Sequence, residues 1–119
     1  SRGAASVDFV ERDRSALAAL RANLERTHLS TSAGVHGGDV ERFLATANGA
    51  WSLAFLDPPY EGRDMVTALL ALRPHLEPGA MVVVKHFWRT EIPAVDGLAP
   101  VRQRRFGETM LTFLEVDAR

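Results

Sequence analysis

Residues 51–56, Trp-Ser-Leu-Ala-Phe-Leu, form a nearly continuous apolar run that ends in Asp57-Pro58-Pro59-Tyr60. A run this short and apolar suits a strand buried on both faces at the centre of a parallel sheet. Two prolines stop it, because proline donates nothing to a ladder. Such a strand needs helices over both faces, which commits the chain to an α/β architecture.

The flanking sequence supplies the other layers. Residues 6–11 alternate and read as a short strand. Asp13 stands where an N-cap belongs, and Leu17, Leu20 and Leu24 follow at helical spacing until Thr27-His28. A brief strand is expected around Val35-His36, before Gly37-Gly38. Asp39 is a second N-cap candidate, opening a helix with Val40, Phe43 and Leu44 on its apolar face, which Asn48-Gly49 ends. A third helix is expected over residues 63–73, with Met65, Val66, Leu69, Leu70 and Leu72 inward; Pro74 and Pro78-Gly79 close it. Residues 80–85 read as another buried strand and 87–99 as an irregular connection. Residues 101–106 and 110–116 read as two strands joined by a tight turn at Gly107-Glu108. The order gives a single α/β domain over 1–119, with a mostly parallel sheet and an antiparallel C-terminal hairpin.

Composition narrows the setting. Of 119 residues 46% are hydrophobic, which suffices for a packed core. No apolar run approaches a membrane span, and no basic-then-apolar leader opens the sequence. Cysteine is absent, so disulfides and cysteine metal sites are excluded, and a cytoplasmic location is expected. Net charge is −1, so no global attraction to nucleic acid is evident. Thirteen of the fourteen basic residues are arginine; Lys85 is the exception. Guanidinium forks suit phosphates and base edges, although compositional bias is the favoured explanation of the excess. His28, His36, His75 and His86 show no ligand spacing, so no metal site is expected.

Ligands of such sheets bind beyond the carboxyl ends of the strands. Those ends carry Glu11, Gly38-Asp39, Asp57-Pro58-Pro59-Tyr60 and Lys85-His86. The tetrad has a specific chemical use. The lone pair of an exocyclic base amine is delocalised into the ring, so the amine is a poor nucleophile. Two acceptors aimed at its N–H groups draw it toward a tetrahedral geometry and bear the developing positive charge. The Asp57 carboxylate and the Pro58 carbonyl would serve, the latter held by proline's fixed φ. The Tyr60 ring could stack on the target base.

This tetrad resembles the motif of class I amino-group methyltransferases. The resemblance extends over essentially the whole chain. Ser1-Arg2-Gly3-Ala4, Phe9-Val10-Glu11-Arg12-Asp13, Gly38-Asp39, Phe55-Leu56-Asp57-Pro58-Pro59-Tyr60 and Arg105-Phe106-Gly107-Glu108-Thr109 occur in the order and spacing of the bacterial 16S ribosomal RNA guanine-N2 methyltransferases. The resemblance implies a class I, Rossmann-like fold and S-adenosyl-L-methionine as cofactor. It implies that Glu11, with Arg12, holds the cofactor ribose and that Asp39, with Val40, contacts its adenine. It makes Asp57, Pro58 and Tyr60 catalytic, with Pro59 and His86 beside the substrate. It implies ribosomal RNA or a small-subunit assembly intermediate as partner, no membrane association, and a monomer when intact.

Departures from the family pattern shape further expectations. The family's first strand and glycine-rich motif would precede Ser1, so the chain reads as an N-terminally truncated domain that does not bind cofactor well by itself. The absent strand belongs between residues 7–11 and 51–56. The sheet should therefore carry a gap, pair those strands directly, or borrow a strand from a second copy, and self-association is one alternative. Tyrosine is common where Phe106 stands, and an acid near Lys85. DNA adenine and protein glutamine methyltransferases share similar tetrads and stay open as alternatives. Local roles stay open too: Asp39 and Glu11 could serve only as caps, and Arg102 and Arg104, on one face of their strand, could be edge protection or phosphate contacts.

Overall fold

Two packing units divide the chain, residues 1–46 and residues 47–119. The computed structural model describes residues 7–11, 13–28, 33–38, 40–57 and 63–117. Among these, no helix is long and apolar enough to cross a membrane.

The first unit contains β1 (Val7–Glu11), α1 (Arg14–Arg26), β2 (Ala33–Gly37) and α2 (Val40–Thr46). β1 and β2 pair in parallel, with Phe9 opposite Val35 and Glu11 opposite Gly37. Parallel neighbours require a crossover, and α1 provides it. Asp13 starts that helix as its sequence position suggests: Oδ2 accepts from the Ala16 N–H at 2.9 Å and from the Ser15 hydroxyl at 2.6 Å. Both bonds hold the Asp13 carboxyl below its ordinary pKa, the Ser15 bond contributing most. At the other end the Thr27 hydroxyl donates to the Asn23 carbonyl at 2.8 Å and helps close the last turn. Leu24 is buried in α1 and Leu44 in α2.

The second unit contains β3 (Trp51–Leu56), α3 (Arg63–Leu72), a 3-10 turn at Arg73–His75, β4 (Leu76–Phe87), β5 (Leu98–Phe106) and β6 (Thr109–Val116). Its sheet order is β3-β4-β6-β5, with β3 and β4 parallel and the remaining pairs antiparallel. Met65, Leu69 and Leu72 of α3 are buried, as are Val82 and Val84 of β4 and Leu114 and Val116 of β6. These residues recur at helical spacing in α3 and every second position in the strands, and Val83, on the other face of β4, is buried as well.

Several boundaries differ from the sequence reading for identifiable reasons. Pro78-Gly79 does not precede β4 but lies inside it. Trp51 is opposite Leu76 while Leu53 is opposite Met81, so the proline-glycine step forms an irregularity on β4, with Gly79 at φ 79°. β5 begins three residues earlier than expected, at Leu98, because Leu98 and Ala99 pair with Val116 and Glu115. A strand buried on both faces was expected at Trp51–Leu56. The strand is present and parallel, but it stands at the edge of its four-stranded sheet, and Leu53 and Phe55 are 63% and 59% exposed.

Candidate active site

Asp57 follows the last residue of β3. Leu56 is opposite Val84, so the next positions on the two strands stand side by side, and Lys85 Nζ lies 3.7 Å from Asp57 Oδ2. Both side chains are open to solvent, at 61% for Asp57 and 46% for Lys85. An exposed ion pair of this length contributes little to stability, so the fold does not require Asp57 as a structural acid. The carboxylate is directed away from the core at the carboxyl end of a parallel strand. Pro58, Pro59 and Tyr60 lie outside the described residues. Lys85 had no role in the sequence reading; its pairing with Asp57 follows only from the β3–β4 register, which no local pattern encodes.

Glu11 closes β1. Its Oε1 accepts from the Asp13 backbone N–H at 3.0 Å, and its carbonyl accepts from the Gly38 N–H at 3.0 Å. Gly38 has φ 118°, a conformation that side-chain-bearing residues rarely adopt, and this turn lets the chain leave β2 beside the end of β1. The first carboxylate oxygen of Glu11 is thus anchored locally while the second keeps its acceptor capacity. Val40 opens α2 and is half-buried. Arg12 and Asp39 lie outside the described residues.

His86 has an internal occupation. Its ring is 8% exposed, and both nitrogens are engaged: Nδ1 is 2.8 Å from the Phe87 carbonyl and Nε2 is 2.7 Å from Thr112 Oγ1. The carbonyl can only accept, so Nδ1 carries a proton. In the neutral ring Nε2 accepts from the Thr112 hydroxyl, which in turn accepts from Gln103 Nε2 at 3.0 Å. This relay crosses β4, β6 and β5. No local pattern announces it, because Gln103 and Thr112 meet His86 only through two antiparallel registers. At the opposite end of this sheet, Arg73, Asp96, Gly97 and Asp117 line a shallow open depression.

The residues present fit S-adenosyl-L-methionine as far as they are described. An acid at the end of a parallel strand, one oxygen fixed and one able to accept, is the kind of acceptor that ribose hydroxyls donate to. Glu11 supplies it.

Comparison with known proteins identifies the family and the fold. The family described as Conserved hypothetical protein 95 matches residues 1–115. A curated Bacillus subtilis (strain 168) protein named "Putative rRNA methyltransferase YlbH" is 31% identical over 115 residues; the match covers 92% of this chain, which spans only 62% of that relative's length. Among solved structures, a protein named "Putative methyltransferase yhhF from Escherichia coli" superposes with a TM-score of 0.87 at 24% identity, over 100% of this chain and 68% of that one. A Haemophilus influenzae protein named "putative methylase HI0767" superposes with a TM-score of 0.82 at 22% identity, over 98% and 75%. An RNA methyltransferase from Salinibacter ruber, solved with S-adenosyl-L-homocysteine, gives a TM-score of 0.71 at 17% identity, over 94% and 66%. The protein carries the class I methyltransferase fold and belongs to the Conserved hypothetical protein 95 family.

Proposed function

We propose that the intact protein transfers a methyl group from S-adenosyl-L-methionine to the exocyclic N2 amine of a guanine in small-subunit ribosomal RNA. The observation that carries this reading is Asp57: a solvent-facing carboxylate at the carboxyl end of a parallel strand, followed at once by Pro58-Pro59-Tyr60. The name of the Bacillus relative and the bound product in the Salinibacter structure support the RNA and cofactor classes. When bound, the cofactor supplies an electrophilic methyl on a sulfonium. The chain's own residues do the rest. Asp57 and the Pro58 carbonyl accept the two N–H bonds of the amine, which localises its lone pair and stabilises the charge that grows as nitrogen becomes tetrahedral. Tyr60 stacks on the base and fixes its plane, so catalysis is largely positioning. Glu11 holds ribose hydroxyls, with Arg12 beside it; Asp39 and Val40 border the adenine. Pro59 borders the target base. His86 is left out of the substrate contacts, because both ring nitrogens already serve the fold.

The reading is tested by incubating the intact protein with methyl-labelled cofactor and small-subunit ribosomal particles, then digesting the RNA to nucleosides. Label is expected in N2-methylguanosine. Label in a glutamine amide of the ribosomal proteins and not in RNA, or transfer to a DNA duplex offered in a parallel reaction with none to the particles, would overturn it.

A further inference from the structure

The carboxyl ends of β3, β4 and β5 lie at one end of the four-stranded sheet, since Leu56 pairs with Val84, Phe87 with Thr109, and Thr109 with Phe106. Residues directly opposite one another across strands share a face. Lys85 is opposite Leu111, which is opposite Arg104; Phe87 is opposite Thr109, which is opposite Phe106. The Asp57–Lys85 ion pair places Asp57 on that side too. One face at one end of the sheet therefore carries Asp57, Lys85, Phe87, Arg104 and Phe106, with Arg102 two positions further along β5.

This stripe is open and basic. Phe87 and Phe106 are 43% and 57% exposed. β5 holds three arginines and no acid. Among the described residues no carboxylate pairs with Arg102, Arg104 or Arg105, although Glu108 stands in the adjacent turn. Arg102 lies 5.9 Å from the Phe113 ring and Arg104 5.9 Å from the Phe106 ring. At the rim, Arg105 and Arg89 both lie over Trp88, at 3.8 and 4.7 Å. The guanidiniums are thus steadied by aromatic rings and keep their charge uncompensated.

We propose that this stripe binds single-stranded RNA on the side of the nucleotide being methylated: Arg102 and Arg104 hold backbone phosphates, and Phe87 and Phe106 receive unstacked bases. The assignment rests on the enzymatic reading for its choice of RNA. Exposed aromatic faces interleaved with cations are what an unpaired strand recognises. Three strand spacings, about 14 Å, separate β5 from β3, which suits neighbours of a nucleotide held at Asp57.

The test is fluorescence anisotropy of the intact protein with a labelled single-stranded RNA of about 20 nucleotides, titrated with salt. The double variant Arg102→Gln/Arg104→Gln should bind more weakly and flatten the log–log salt slope by about 1.4, two contacts at about 0.7 each. Arg102→Lys/Arg104→Lys should keep the slope. Phe106→Ala should weaken binding with the slope unchanged. Because the positions are exposed, unfolding is not expected; the single variants replace the double one if its unfolding loses cooperativity. Wild-type affinity and slope in the glutamine variant would overturn the proposal. If wild type methylates RNA while that variant binds normally, the stripe is refuted and the enzymatic reading stands. If wild type methylates no RNA yet the variant's slope flattens, the stripe stands and the enzymatic reading fails.

Discussion

Asp57 and His86 both end strands of the same sheet, yet their surroundings assign them opposite kinds of work. Asp57 is open to solvent beside Lys85; His86 is buried and spends both ring nitrogens on Phe87 and Thr112. The sequence marked both as residues at carboxyl ends, and that much was legible. What separates them is side-chain direction. The alternation of Val82, Val84 and His86 on the buried face against Lys85 on the open one fixes it only once the register is known. The relay also makes a prediction. Replacing Thr112 by valine keeps shape but removes the hydroxyl between His86 and Gln103. Thr112 is 1% exposed, so the unpaired partners should cost about 1–3 kcal/mol. Urea unfolding of Thr112→Val measures this, and an unchanged midpoint would show that the relay is incidental.

Elements were legible where local chemistry decides them. Asp13, four residues before the first leucine of a periodic stretch, caps α1 as read. Gly107 opens the β5–β6 turn at φ 62°, the first central position where a two-residue hairpin takes glycine. Elements were misread where a distant partner decides them. β4 runs through Pro78-Gly79, and β5 extends back to Leu98, because neighbouring strands offer pairs there. Two predictions belong at this scale. Gly107→Ala should destabilise the hairpin by about 1–2 kcal/mol, the cost of a left-handed residue with a Cβ, read as a lower melting temperature. For α1, the Asp13 carboxyl is held below its ordinary pKa, so its capping contribution is complete above the usual carboxylate range. That contribution is lost as pH falls through the lowered folded value. Asp13→Asn keeps an acceptor but cannot titrate, so its helix signal should vary less on acidification than that of the wild type. Equal acid sensitivity by circular dichroism would contradict this account of the cap.

At the scale of the molecule, the alternation of strands and helices identified the α/β class, and the tetrad identified the methyltransferase fold. Of the three arrangements expected for the sheet, direct pairing of β1 with β3 is not the one found among the described residues: the strands form two hydrogen-bonded sheets, β1-β2 and β3-β4-β6-β5, in two packing units. The apolar composition of β3 suggested burial on both faces; its edge position in its own sheet leaves Leu53 and Phe55 exposed. Local opening should follow this division. Amides of Val82, Val84 and Leu114, on strands with two neighbours, should exchange slowest, and those of β1 and β2 much faster. Uniform protection across both sheets would contradict the two-unit description. The central claim is that Asp57 acts on the amine as charge develops there, and methyl transfer by the intact protein tests it most directly. Single-turnover transfer to small-subunit ribosomal RNA should fall about 100-fold or more in Asp57→Asn, while the dissociation constant for S-adenosyl-L-methionine stays near that of the wild type. Transfer at the wild-type rate, or an equal loss in cofactor affinity, would contradict it.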